Sequence, residues 1–413
     1  MPFDGVVTKC VVAELKETIL DGRIEKIFQP ERDEIMLNIR AKGQNYKLVL
    51  SANSSYPRIH FTETVKENPI APPVFCMLLR KHLSGAKIIG VEFNDYERIV
   101  TLLVESINEL GDLSIKKLII EIMGRHSNII LVNSDDKIID SIKHVDSETS
   151  SVREVMPARP YILPPSQDKT NPENMDIEKL FENTDEYSNV GVEKYLLNKI
   201  KGFSHLLCRE ICFRAGVDER ISISSLSTHA RERIKSALHE LVSQIARDDF
   251  KPCLIFENDS FEKPLDFHCI EIKQYNNIQY EASISRVLDI FYSKRDLLER
   301  TRQKKSSLIK VLQTNIDRCN KKLSIQQEKL REVSDREKLR LYGELITANI
   351  YNIPKNAKSA KLLNYYSEDN EYIEVPLDEN LSPQENAQRY FKKYAKAKSA
   401  YKYTSEQLQE TVS

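Results

Sequence analysis

The sequence predicts a multidomain α+β protein: an antiparallel-sheet amino-terminal domain, a helical second domain with short strands, and a long antiparallel coiled coil with a small β-containing tip. Three observations lead there. The first 170 residues carry many short apolar runs of period two and just two helical stretches; a proline-rich connector follows; and a helical apolar seam starts near Ser283 and continues for some sixty residues without Gly or Pro. At 413 residues, 40% hydrophobic and 30% charged, the chain can bury several cores. The expected domains are 1–170, 171–280 and 281–413, with the tip at 341–380.

The first domain opens with a helix over 9–20, where Val11, Val12, Leu15 and Ile19 recur at helical spacing and Asp21-Gly22 stops it. Alternation predicts strands over 23–28, 34–39, 46–51 and 58–62. A second helix, 73–83, has Pro at its start and Ser84-Gly85 at its end. Strands over 87–93, 98–105, 116–123, 128–132 and 137–142 complete a meandering sheet. The connector, 156–172, holds five prolines and reads as extended. Helices over 192–200, 204–215 and 229–247 follow, then short strands at 253–256 and 267–273.

Beyond them, steps of four and three from Ile284 reach Leu288, Phe291, Ile309, Leu312, Ile316, Leu323, Leu330 and Val333, which is a coiled-coil seam. One helix from 283 to 340 would be about 85 Å long. Its charge is lopsided: residues 300–340 hold thirteen Lys/Arg against five Asp/Glu, a net of +8. The return helix begins at the capping box Ser382-Pro-Gln-Glu385, and residues 386–405 add six basic residues and no acid. Its seam of Ala387, Tyr390, Tyr394, Ala397, Tyr401 and Leu408 gives those tyrosines packing roles before stacking on bases. Two neighbouring helices of one sign repel unless an anion neutralises them, so a polyanionic partner is expected. The candidate contacts are Arg318, Lys321, Lys322, Arg331, Arg336 and Arg340 on the outgoing helix and Arg389, Lys392, Lys393 and Lys396 on the return. The return helix would end opposite about residue 310, leaving the seam from Ile284 to Lys305 unpartnered and implying a chain that continues past Ser413.

The whole chain has a net charge of −1, so removing the two basic stretches leaves −15: a basic arm on acidic domains. Seven cysteines, an odd number, sit mostly in apolar contexts, and Cys208 and Cys212 lack the second pair that a zinc site needs. Reduced thiols in a cytoplasm, no metal and no cofactor are expected. The start has no basic region followed by an apolar run, and no segment is apolar enough to span a membrane.

Polar chemistry gathers at two turns. Glu121-Ile-Met-Gly-Arg-His-Ser-Asn128 joins two strands, with Gly124 for the turn and Arg125, His126, Ser127 and Asn128 expected at its tip. Glu121 interrupts an apolar run and calls for a partner, most simply an Arg. Asp95-Tyr-Glu-Arg98 offers one, although from spacing alone an ordinary surface ion pair is the blander account. Glu97 and Arg98 can serve one site only if Glu97 still belongs to the turn.

Glu121-Ile-Met-Gly-Arg-His-Ser-Asn128 resembles the signature of the NFACT family of ribosome quality control proteins, also known by the older name fibronectin-binding protein. Met1-Pro-Phe-Asp-Gly5, Leu79-Arg-Lys-His-Leu83, Tyr161-Ile-Leu-Pro-Pro165, Tyr342-Gly-Glu-Leu-Ile-Thr-Ala-Asn349 and Glu385-Asn-Ala-Gln-Arg-Tyr-Phe-Lys-Lys-Tyr394 match in the same order. The segment from Lys201-Gly-Phe-Ser204 to Ala215-Gly-Val-Asp218 looks like that family's helix-hairpin-helix module. The resemblance implies a non-enzymatic factor that binds a large ribosomal subunit holding peptidyl-tRNA and brings in alanyl-tRNA for untemplated alanine addition, while the ribosome performs peptidyl transfer. It implies an Asp-Arg pair for tRNA recruitment where this chain has Glu97-Arg98, which keeps the charge and lengthens the reach by one methylene. Arg98 and Arg125 are then the expected RNA contacts, Glu97 reads a base or orients an Arg, and Glu121 holds the site together. His126 and Asn128 are further candidates, and a carboxy-terminal domain beyond this chain is implied.

Two other readings compete. A DNA glycosylase or lyase would use Pro2 as an amine nucleophile, but Phe3 stands where such enzymes place an acid. A surface adhesin for fibronectin rests on the older family name.

Overall fold

The computed structural model describes residues 3–107, 111–182, 184–257, 263–367 and 371–412, in two units divided after Glu299. Pro2 lies outside the described residues.

In the first unit, α1 (Gly5–Ile19) starts four residues before the expected position. Asp4 caps it, its carboxylate accepting from the Val7 amide at 2.9 Å, so the helix begins at the cap and not at the first apolar repeat. Its buried stripe of Val7, Val11, Leu15 and Ile19 packs on a sheet. The strands are β1 (Arg23–Glu31), β2 (Glu34–Ala41), β3 (Gln44–Ser51), β4 (Arg58–Phe61), and, after α2 (Val74–Leu83), β5 (Lys87–Phe93), β6 (Ile99–Ile107), β7 (Leu113–Glu121), β8 (Asn128–Val132) and β9 (Ile138–Ser141). Among the described residues they form one nine-stranded sheet, β4-β3-β2-β1-β5-β6-β7-β8-β9, with every pairing antiparallel. β6 and β7 overrun their apolar patterns at one end, since backbone pairing continues to Ile107↔Leu113 where both side chains are exposed.

The connector leads to α3 (Val192–Lys199), α4 (His205–Ala215) and α5 (Thr228–Ala246), then to a three-stranded sheet of β10 (Cys253–Phe256), β11 (Pro264–His268) and β12 (Ile278–Tyr280) in the order β11-β10-β12. β11 lies earlier than the 267–273 run predicted, because Phe267 pairs with Leu254 while Ile270 and Ile272 are buried without a strand partner. One hydrophobic core runs from Phe3 and Leu15 through Leu102 and Leu118 to Tyr195, Leu207 and Phe267.

α6 (Ile284–Glu332) is rooted in this unit. Ile284, Val287, Leu288, Phe291 and Tyr292 are buried in its core, so the start of the seam, expected to lack a partner, has one. Polar bonds add to the anchor: Ser285 donates its amide and hydroxyl to Glu14 at 3.1 and 2.8 Å, and Thr62 donates to Asp289 at 2.6 Å.

The second unit holds the rest of α6, then α7 (Arg336–Ala348), a hairpin of β13 (Ser359–Leu363) and β14 (Tyr372–Pro376), and α8 (Pro383–Val412). The helix expected as one piece to residue 340 breaks at Val333–Asp335. There the Ser334 hydroxyl donates to the Arg331 carbonyl at 2.7 Å, the local competition by which Ser and Asp disfavour helix interiors. α8 runs antiparallel to the outgoing chain: Tyr342 meets Tyr390 with ring centroids 5.4 Å apart, Arg336 stacks 3.8 Å over Tyr401, and the Gln326 amide reaches the Gln407 carbonyl at 3.4 Å. That register ends α8 opposite about Lys321, not residue 310. Leu308, Ile309, Val311, Leu312 and Ile316 are exposed.

Candidate nucleic-acid interface

The β5–β6 turn is built on two consecutive left-handed residues, Asp95 (φ 44°) and Tyr96 (φ 54°). Non-glycine residues adopt that conformation at a cost, so neighbours must hold it. They do so from three directions. The Lys201 ammonium bonds Asp95 Oδ2 at 2.6 Å, Glu97 Oε1 at 2.9 Å and the Ser166 hydroxyl at 3.1 Å. Asn171 donates to the other Asp95 oxygen at 2.7 Å. Tyr96 lies buried beneath, its hydroxyl donating to Glu173, which also takes Lys9 at 2.7 Å.

Below the turn, backbone touches backbone. The Gly5 amide donates to the Gly202 carbonyl at 2.9 Å. A Cβ on Gly5 would fall 2.4 Å from the Tyr96 carbonyl oxygen, and one on Gly202, which has φ +75°, would fall 2.7 Å from the Tyr96 Cβ. The Phe3-Asp4-Gly5 start, the Asp95–Arg98 turn and the Lys201–Gly202 loop therefore meet at one point. The helical-module reading of Lys201-Gly202 gives its lysine no role, and nothing in the sequence marks Ser166 and Asn171 in the connector or Glu173 just past it.

Glu97 and Arg98 both precede β6. The Glu97 carboxylate is half-buried and shared with Lys201 and Ser166. The Arg98 guanidinium is largely enclosed: burial lowers its pKa, with Asp4 and Glu97 pulling the other way. Its carbonyl accepts from the Ile122 amide at 2.8 Å, which ties this turn to the start of the second loop.

In that loop Gly124 has φ +59°, and Arg125 and His126 are exposed, with Arg125 Nε donating to His126 Nε2 at 2.9 Å. Ser127 and Asn128 are not at the tip. Ser127 is buried and its hydroxyl accepts from the Met123 amide at 2.8 Å. Asn128 is buried too: its side chain donates to the Lys143 carbonyl at 2.8 Å and accepts from the amides of Ile129 and Lys143 at 2.9 and 3.1 Å. It fastens β8 to the segment after β9 and has no side-chain atom left to present. Glu121 also departs from expectation. It is fully buried and bonded to Arg153 and to the Tyr161 hydroxyl (2.9 Å), so the carboxylate holds the 153–161 segment against the sheet and does not pair with Arg98.

Of the arm cations, Arg318, Lys321, Lys322, Arg331, Lys392, Lys393 and Lys396 are exposed. Four are engaged within the arm: Arg336 on the Tyr401 ring, Arg340 with Glu344 at 2.8 Å, Arg389 with Asp378, and Lys393 at 5.6 Å from the centre of the Tyr390 ring. Six cysteines are buried free thiols, and Cys319 is exposed. Burial pushes the Cys212 thiol up to about 12, away from reactivity. Among the described residues no group of three His, Cys, Asp or Glu could hold a metal ion, and no helix is long and apolar enough to cross a membrane.

The described residues combine a wide antiparallel sheet under a capped helix, a helical second half sharing its core, and long helices with a β-hairpin between them. The chain belongs to the family of the NFACT N-terminal and middle domains, whose model matches residues 4–413. It is 36% identical over 413 residues to the Rqc2 homolog RqcH of Bacillus subtilis, covering 99% of this chain and 69% of the relative. Human NEMF, a ribosome quality control complex subunit, is 23% identical over 375 residues, 84% of this chain and 33% of that protein. Among solved structures, the fibrinogen binding protein from Staphylococcus aureus superposes with a TM-score of 0.60 at 30% identity, covering 71% of this chain and 99% of the other.

Proposed function

We propose that this protein is a cytoplasmic ribosome quality control factor that binds the large ribosomal subunit carrying peptidyl-tRNA and recruits alanyl-tRNA for untemplated alanine tailing, leaving peptidyl transfer to the ribosome. The likeness to RqcH and NEMF supports the general role. The observation that carries the tRNA reading is the clamped Asp95–Arg98 turn: four side chains and two close glycine approaches fix a strained turn that bears Glu97 and Arg98. Rigid placement of a carboxylate beside a guanidinium is what selection of a base edge next to a phosphate requires. The exposed cations of the second unit provide the charge for ribosomal RNA, and no cofactor or metal takes part in this reading.

Sedimenting the protein with cell lysate at low and high salt and sequencing the RNA that travels with it tests the proposal. Large-subunit RNA with enriched alanine tRNA, lost steeply as salt rises, is the expected result. Arg98→Ala should lower tRNA recovery by roughly tenfold or more and spare ribosomal RNA. Recovery of neither RNA above background would refute it. Cleavage of abasic DNA by the purified protein, abolished by substituting Pro2, would favour the glycosylase reading instead.

A further inference from the structure

We propose that the groove beside the Asp95–Arg98 turn, on the face of β6 and β7 that carries Ile99 and Ile119, receives one unpaired adenine or cytosine of the bound RNA, with Glu92 and Asn94 reading its edge. This deepens the tRNA reading above and rests on it. The groove has a volume of about 640 Å³, within the range of sites that hold small molecules. Its floor follows from strand register. Glu92 stands opposite Thr101 across β5 and β6, and Thr101 opposite Ile119 across β6 and β7, so the three side chains form one row on one face. Ile99 extends that floor toward the turn.

One wall is the connector, through Tyr161 and Leu163, and it is pinned. The Tyr161 amide donates to the Asp136 carbonyl at 2.7 Å and its hydroxyl to Glu121 at 2.9 Å; Lys137 bridges to Pro160, and Arg153 donates to the Ile162 carbonyl at 2.8 Å. Glu121 thus sets one side of the groove without lining it. The polar groups inside fall into two sets. Lys117 and Asp136 satisfy each other at 2.6 Å. Among the described residues the Glu92 carboxylate, the Asn94 amide and the Thr101 hydroxyl make no hydrogen bond or ion pair, and Leu163 is left 50% exposed. That chemistry selects the ligand. A carboxylate repels a phosphate but accepts from an exocyclic amine, the amide donates to a ring nitrogen, and the apolar floor and the Tyr161 ring suit the flat faces of a base. Adenine and cytosine present that amine and that acceptor side by side, whereas uracil has a carbonyl in place of the amine. Because Asn94 adjoins Asp95, the groove is continuous with the turn, and a base unstacked there reaches it directly.

The test binds the full chain to an alanine tRNA transcript and treats the complex with dimethyl sulfate, which methylates the pairing edges of unpaired adenine and cytosine. Affinities are measured in parallel for the unsubstituted protein, Glu92→Ala, Thr101→Trp and Arg98→Ala. One unpaired adenine or cytosine should be protected by the unsubstituted protein and become reactive again with Glu92→Ala, a change at an exposed position. Glu92→Ala and Thr101→Trp, which fills the groove, should each weaken binding by about fivefold or more. The salt dependence should stay unchanged in Glu92→Ala, because no phosphate contact is lost. Changing the protected base to uracil should cost the unsubstituted protein a similar factor and cost Glu92→Ala nothing further. Equal or tighter binding by Glu92→Ala, or protection that survives both groove substitutions, overturns the proposal; weaker binding by Arg98→Ala in the same experiment leaves the tRNA reading standing. If no variant alters binding, Arg98→Ala included, the tRNA reading fails and this proposal with it.

Discussion

The pairing of Glu121 with Arg153 can be tested by replacing Arg153 with Met, which keeps the length of the side chain and removes its charge. Glu121 is 0% exposed and Arg153 13%, so the substitution strands a buried carboxylate whose other bond is to the Tyr161 hydroxyl. Removing one member of a buried ion pair costs about 3–5 kcal/mol, since the other charge stays desolvated. Replacing both, Glu121→Gln with Arg153→Met, takes the charge away and leaves lost hydrogen bonds worth about 1–2 kcal/mol. The double variant should therefore be more stable than Arg153→Met alone by about 1–4 kcal/mol. Urea unfolding of the four proteins, compared at constant m-value, gives the coupling directly. A loss below about 1 kcal/mol in Arg153→Met, or coupling of Glu121→Gln to Arg98→Met in its place, would show that the carboxylate is neutralised elsewhere.

Gly202→Ala should destabilise by about 2–5 kcal/mol, the sum of left-handed strain and overpacking against Tyr96, and should weaken tRNA binding as the turn is displaced; an unchanged melting temperature would contradict the close approach at Gly5 and Gly202. His60 is fully buried and its pKa is pushed down to about 3, first by burial and then by the Arg58 charge. The folded protein thus leaves it neutral while the unfolded chain takes up a proton below the ordinary 6.5, so stability is full above that pH and falls as the pH drops toward 3. Its share of the slope approaches ~1.4 kcal/mol per pH unit, and His60→Gln should flatten the stability profile between pH 6.5 and about 4. In the second unit, Gln326 is buried with its Oε1 unpartnered, so Gln326→Leu should raise the thermal midpoint of the arm by relieving about 1–3 kcal/mol of desolvation. A lower midpoint would show that the weak bond to Gln407 matters more than the burial cost.

Much of this fold is legible in the sequence because it is local. Alternation located every strand of the large sheet, and β5 and β8 match to the residue. The start of α6, by contrast, could not be placed from its seam, because a heptad seam and the buried face of a helix root have the same spacing; Ile284, Leu288 and Phe291 fit both, and it is the sheet edge at Phe61 and Thr62 that decides. The break at Ser334 has a local cause that an uninterrupted apolar pattern hides. Lys201 is the harder case. It lies 106 residues from Asp95, and nothing in Lys201-Gly-Phe-Ser204 says which acids it will meet, so the residue that fixes the turn could be found only once the fold had closed.

The misplaced partner of Glu121 was avoidable, and period two explains why. Ile99, Glu121 and Asn128 stand opposite one another across β6, β7 and β8, and residues directly opposite in an antiparallel sheet project to the same face. Ile119 and Ile130, two steps from Glu121 and Asn128, lie with Ile99 in a small separate cluster with Val155 and Tyr161, whereas Val100, Leu118 and Ile120 point into the main core under α1. Glu121 therefore belongs to the outer face. Arg98, one residue before Ile99, is directed to the inner one, where Asp4 at the cap of α1 contributes to its electrostatics. The alternation that bears on whether Glu97 and Arg98 can share a site also separates Arg98 from Glu121 once β6 and β7 are paired. Any influence of Glu121 on tRNA must then pass through the 153–161 segment that it holds.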